Sequence, residues 1–177
     1  MRWDGFLRWM RLCLLAPRRF HEAAQLARAA QREDWARVIA LIESFRGRRP
    51  SDSLELGYLG AAQLRLERYE QIVTEFRRLE RAGEPGCLDA LRPYFASALL
   101  WLERNEEALA QFERMEGADP SPVHRALRHW NHAIALYRVG RVEEARDLLL
   151  ERIDNRWPRP EYDQARDLLR SMGVDAH

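Results

Sequence analysis

Residues 105–112 read NEEALAQF, and the same spacing returns three more times: WARVIALI at 35–42, YEQIVTEF at 69–76 and VEEARDLL at 142–149. In each, a packing residue (Val38, Ile72, Ala108, Ala145) is followed four positions on by a larger one (Ile42, Phe76, Phe112, Leu149). Four residues make about one helical turn, so the two side chains share a face. A Pro follows each segment, at Pro50, Pro85, Pro120 and Pro158, and Pro does not continue a helix. Twelve residues before each first marker stand Leu26, Gly60, Ala96 and Ala133, and the markers recur at intervals of 34, 36 and 37. Repeats of that length are supersecondary units that cannot bury their apolar faces alone and must stack.

The rest of the chain agrees with a helical hairpin in each repeat. Ala, Leu, Arg, Glu and Gln dominate, apolar residues recur at three- and four-residue spacing, and β-branched runs are missing. Breaks fall at Gly47/Pro50, Gly83/Pro85/Gly86, Gly117/Pro120/Pro122 and Pro158/Pro160. Asp52, Asp89 and Ser121 read as N-caps of the next first helix, with Pro93 just inside one of them. Small residues at Gly60, Ala96 and Ala133 let paired helices approach closely. A last helix is expected over about 161–172. Asp163, Arg166, Asp167 and Arg170 form its wet face, and Ala165, Leu168 and Leu169 its apolar one, as a terminal cap requires.

These residues resemble the tetratricopeptide repeat (TPR) family, whose pattern runs W-x2-L-G-x2-Y, A-x3-F, P at a 34-residue period. The third repeat carries Ala108-x3-Phe112 and Pro120, the second Leu59-Gly60 and Phe76, and the fourth Gly140 and Ala145. The Trp and Tyr of the family's first helix are absent from their places, and His129 occupies the slot beside Trp130. The resemblance covers about residues 20–158. It implies an all-α right-handed α-solenoid of about four TPR-like helix-turn-helix repeats with a C-terminal capping helix. The domain plan is then an N-terminal segment over 1–19, repeats over 20–50, 51–86, 87–120 and 121–158, and a cap and tail over 159–177. First helices in such proteins line a concave groove, which by register selects Tyr58, Arg65, Tyr94, Trp101, Trp130, Asn131, Tyr137 and Arg138. Aromatics and Arg are the residue types that dominate binding hot spots. A terminal-carboxylate clamp is not supported. Leu127 stands one turn before Asn131, and Tyr58, Tyr94 and Ala24 hold the equivalent places. Trp35 and Tyr69 open second helices and read as packing residues.

Composition narrows the functions. The chain has 177 residues, 29 basic and 28 acidic, for a net charge of +1. Every basic residue is Arg, which excludes Schiff-base chemistry and a phosphate-loop Lys. A whole-chain polyanion binder would show a basic excess. The charge is nonetheless uneven: residues 1–32 carry seven Arg against Asp4 and Glu22, net +5, and the remainder is net −4. Cys13 and Cys87 lie far apart with no CxxC, so neither a thiolate metal site nor a disulfide framework is signalled, which fits a reducing compartment. The longest uncharged stretch, Pro93 to Leu102, is too short to span a bilayer.

The first sixteen residues form a candidate amphipathic helix. Asp4, Arg8 and Arg11 make its polar stripe, and Trp3, Phe6, Leu7, Met10, Leu14 and Leu15 its apolar face, with Trp9 on the border. Pro17 ends it, and Arg18 and Arg19 follow. Trp3, Phe6, Arg8, Trp9 and Arg11 read as an anchor on an anionic membrane or in a partner's groove, or as a cap on the first repeat. The segment after Arg11 is too short for a signal-peptide apolar core.

The expected function is non-catalytic: a protein–protein interaction scaffold (adaptor, assembly factor or chaperone). It would hold a partner's peptide or helix in the groove, in the cytoplasm or at the inner face of a membrane, without metal or cofactor. One alternative is a metal-binding protein or enzyme built on His124, His129 and His132, of which His129 and His132 are i,i+3; no local third ligand completes a zinc site. The other is single-strand nucleic-acid binding through Arg and aromatic stacking. The acidic pairs Glu106-Glu107 and Glu143-Glu144 open second helices, where dipole complementarity explains them.

Overall fold

A computed structural model describes residues 17–115, 122–153 and 159–174, which are all-α. The helices are α1 (Pro17–Gln31), α2 (Trp35–Arg46), α3 (Ser53–Arg65), α4 (Tyr69–Ala82), α5 (Pro85–Trp101), α6 (Asn105–Arg114), α7 (Pro122–Arg138), α8 (Val142–Arg152) and α9 (Arg159–Ser171). The anchor segment, with Trp3, Phe6, Arg8, Trp9 and Arg11, and the Ser121 cap lie outside the described residues.

Three residues join α1 to α2, α3 to α4, α5 to α6 and α7 to α8. The middle residue of each turn is left-handed: Glu33 at φ 56°, Glu67 at 57°, Glu103 at 59° and Gly140 at 83°. The next residue donates its backbone N–H to the carbonyl five back: Asp34 to Ala29, Arg68 to Gln63, Arg104 to Leu99 and Arg141 to Leu136, at 2.8 to 3.0 Å. The left-handed residue itself donates three back, completing a Schellman closure. These turns are spaced by 34, 36 and 37 residues, the intervals of the sequence markers.

So short a turn makes each pair antiparallel. The odd helices pack in a continuous row, α1 on α3, α3 on α5, α5 on α7 and α7 on α9. Each even helix seats on its two odd neighbours, and among the described residues no even helix packs directly on another. Arginines span the gaps instead. Arg46 of α2 bonds Glu75 of α4 at 2.5 Å, Arg77 of α4 pairs with Glu107 of α6 at 3.3 Å, and Arg141 bonds Glu113 of α6 at 2.7 Å.

The core is made of the sequence markers. Leu26, Val38, Ile42, Gly60, Ile72, Phe76, Ala96, Ala108, Phe112, Ala133, Ala145 and Leu149 are all buried. Phe76 stacks on Phe95 with ring centres 3.9 Å apart, and Arg92 and Arg77 cover the outer faces of this pair at 5.4 and 5.3 Å. Such cation–π contacts let charged side chains close the ends of an aromatic stack. A smaller cluster of Ala133, Leu149, Ala165 and Leu169 ties α9 to α7 and α8.

One cap differs from the sequence expectation. Pro17 holds the first position of α1, a place that suits Pro. Arg18 and Arg19 thus belong to the folded body, pairing with Glu22 at 3.4 Å and Asp52 at 3.5 Å. Asp89 is not an N-cap. Gly83 ends α4 in the left-handed region and Pro85 starts α5 at once, leaving Asp89 inside the helix. Asp52 does cap α3: its Oδ1 accepts from the Glu55 N–H at 3.0 Å, and Glu55 reaches back to the Asp52 N–H.

The left-handed turns carry a stability prediction. A Cβ in that region costs about 1 kcal/mol, so Gly140→Ala should lower the unfolding free energy from urea titration by about that amount, while Glu67→Gly should not lower it. Close packing carries another. A Cβ on Gly60 would lie 2.5 Å from Tyr94 Cδ2 and 2.9 Å from Leu91 Cδ1, whereas one on Gly57 would meet nothing within 4 Å. Gly60→Ala is expected to destabilise by about 1–3 kcal/mol and Gly57→Ala to stabilise by about 0.5–1 kcal/mol. Calorimetry of the two variants checks the pair.

Candidate functional site

Parallel odd helices bring their C-terminal ends to one edge of the molecule, beside the three-residue turns. Four of the sequence-selected residues stand exposed there: Arg65 at the end of α3, Trp101 at the end of α5, and Tyr137 and Arg138 at the end of α7. Trp101 is 51% exposed and Tyr137 41%. Trp101 does not hang free. Tyr69, which opens α4, stacks on it with ring centres 6.3 Å apart and planes 17° from parallel. Arg138 donates from Nη1 to the Leu100 carbonyl at 3.0 Å, tying α7 to the last turn of α5. These side chains are therefore held before any partner arrives, which cuts the ordering cost of contact.

Of the other four, Tyr94 and Asn131 are buried and Tyr58 and Trp130 half-buried. Tyr94 is only 6% exposed, its ring filling the space Gly60 leaves between α3 and α5. Burial, together with Tyr58, pushes its hydroxyl up to about 12. Asn131 is 1% exposed and donates from Nδ2 to Ser97 Oγ at 2.8 Å, while Ser97 donates to the Pro93 carbonyl at 2.9 Å. That chain pins α7 to the backbone of α5. Tyr58 is half-buried against the main core, and Trp130 half-buried against the cluster under α9. The physical reason is lateral. Register puts these residues on one face of each odd helix, but odd helices pack so closely that much of this face is a seam. Tyr69 is the residue that sequence reasoning assigned to packing and that also supports the exposed edge. Its signal was an aromatic opening α4, as Trp35 opens α2.

The histidines are placed differently. His129 and His132 are both buried, and His132 stacks on Phe112 with centres 5.6 Å apart. The His124 side chain lies outside the described residues. Among the described residues no group of three or more His, Cys, Asp or Glu could hold a metal ion, and no helix is long and apolar enough to cross a membrane. Cys87 is half-buried; burial and Glu84 push its thiol up, away from reactive thiolate.

Charge also locks the first hairpins together. Arg49, in the segment between α2 and α3, bonds Glu22 of α1 at 2.7 Å and holds Glu55 of α3 through both guanidinium nitrogens. Glu22 and Glu55 are both buried. Burial pushes the Glu22 carboxyl up, but Arg49, Arg48 and Arg18 outweigh it and hold the group below its ordinary 4.5. The unfolded chain then takes up the proton first. Stability from this pair is complete above the ordinary value and is lost as pH falls toward the folded one. Wild type should therefore lose urea resistance more steeply than Glu22→Gln between about pH 5 and pH 3, while the variant is the weaker of the two at pH 7. Equal acid slopes would show that the pair contributes nothing.

The chain matches no protein-family model, no curated protein and no solved structure.

Proposed function

We propose that this chain is a right-handed α-solenoid of four TPR-like hairpins closed by α9, acting as a non-catalytic scaffold that holds a partner protein's peptide or helix. Four turns of one geometry at 34, 36 and 37 residues support the repeat reading, as does a row of odd helices packed one on the next. The observation that carries the binding reading is the exposed Trp101, stacked on Tyr69, with Arg138 bonded to the carbonyl of the residue before it. Rigid aromatics and Arg give large contact area at low entropic cost and recur at hot spots. The contact surface is then the turn edge of α3, α5 and α7 rather than the floor of a groove. A reducing compartment such as the cytoplasm suits the free thiol of Cys87.

The test uses the full chain with an affinity tag, identification of what it captures, and calorimetric titration of that partner. Trp101→Ala with Tyr137→Ala should weaken binding by about tenfold or more and leave the helical circular dichroism and unfolding midpoint unchanged. Leu150→Ala removes an equally exposed apolar residue from the even face and should change nothing. Unchanged affinity in the double variant, or an equal loss in Leu150→Ala, refutes the assignment.

A further inference from the structure

Two neighbouring odd helices carry the same run of uncharged residues. On α1 it is Phe20, Ala23, Ala27 and Ala30, and on α3 Leu54, Gly57, Ala61 and Leu64. Steps of three and four put each run on one face of its helix, and the two runs are related position by position through the 34-residue interval. None of these residues is buried. Phe20 is 52% exposed and Leu54 53%. Arg19 pairs with Asp52 at 3.5 Å, which holds the starts of α1 and α3 side by side. The two large side chains therefore stand at one end of a strip whose middle is Ala and Gly. Surface helices ordinarily turn polar residues to water, and this strip has none along its length. On α5 the equivalent Ser97 and Leu100 are buried instead, Ser97 Oγ accepting from Asn131 and the Leu100 carbonyl from Arg138. That closes the strip on the α5 side.

The chain holds a matching segment at the open end. Sixteen residues precede Pro17, and Pro17 stands three residues before Phe20. As a helix the segment would span about 24 Å, against about 22 Å for α1. Its apolar face carries Trp3, Phe6, Leu7 and Met10, opposite the polar stripe of Asp4, Arg8 and Arg11. Bulky side chains on one helix fit against small ones on another, since the small ones let the axes approach. The uncharged floor lets that apolar face settle without stripping water from any charge.

We propose that the strip on α1 and α3 is a helix-docking surface whose occupant is this chain's own segment 1–16, folded back antiparallel to α1. The surface is separate from the Trp101 edge and does not depend on the scaffold reading.

The experiment is paramagnetic broadening in the NMR spectrum of the full chain. A nitroxide is placed at Asp4→Cys, on the polar stripe, with Cys13→Ala and Cys87→Ala removing the native thiols; Arg8→Cys supplies a second label position. The Ala27, Ala30, Ala61 and Leu64 amides should broaden, and those of α9 should not. A segment that continued α1 without reversing would hold residue 4 about 35 Å from Ala27, so broadening there requires the fold-back. Ala27→Glu puts a charge in the middle of the strip. It should abolish the broadening while the helical circular dichroism stays unchanged. Sharp strip amides with both labels would leave the strip to a partner's helix and overturn the proposal, as would broadening that survives Ala27→Glu. A mixture of spin-labelled chain with isotope-labelled chain free of nitroxide should show no broadening. Broadening in that mixture equal to the single-chain effect would make the occupant a second copy and overturn the proposal as well.

Discussion

Among the described residues, four hairpins are closed by the same three residues' worth of backbone. One residue turns left-handed, the next hands its N–H to a carbonyl five back, and the second helix has no course but to return along the first. For Glu33, Glu67 and Glu103 this conformation is strained, at about 1 kcal/mol each. The strain persists because the markers on either side, Leu26 with Val38, Gly60 with Ile72 and Ala96 with Ala108, are buried only when the turn is this tight. Local geometry and core packing thus require each other, and the parallel row of odd helices follows from the pair.

That row explains why charge is so prominent in a chain of near-zero net charge. Odd helices touch directly, and α5 is buried at every residue from Tyr94 to Leu100. Among the described residues even helices do not pack directly on one another. Arg has the reach and the donors for that span, and Arg46, Arg77 and Arg141 each cross one gap to a Glu. Exposed pairs of this kind contribute little singly. Arg49 differs, because it satisfies two buried carboxylates from two helices at once. Removing it would leave Glu55 buried without its cation and Glu22 with only the longer contacts of Arg18 and Arg48, a larger penalty than losing a surface pair.

The repeat spacing was readable from residues 35–42, 69–76, 105–112 and 142–149 because core markers recur whatever the partner does. Helix type and hairpin ends followed from Pro, Gly and the Asp52 cap. Legibility stopped where a residue's environment depends on a neighbour far along the chain. Tyr94 lies on the same face of α5 as Trp101, and Asn131 on the same face of α7 as Arg138, yet the first of each pair is buried and the second exposed. Only the closeness of α3, α5 and α7 separates them, and periodicity within one helix carries no information about that distance. Asp89 failed for a related reason: the immediate restart at Pro85 overrode a good capping residue four positions later.

A repeat array also supplies its own control. Equivalent positions share backbone geometry, so a departure in one repeat is not demanded by the fold. Where the others have Ala29, Leu99 and Leu136, a buried amide at Gln63 adds nothing to packing. Where Arg65 and Arg138 end α3 and α7, an exposed indole at Trp101 ends α5. Both departures oppose what stability alone would select, one by burying a polar oxygen and the other by leaving a large apolar ring in water. Both fall within the two middle hairpins, α3 with α4 and α5 with α6.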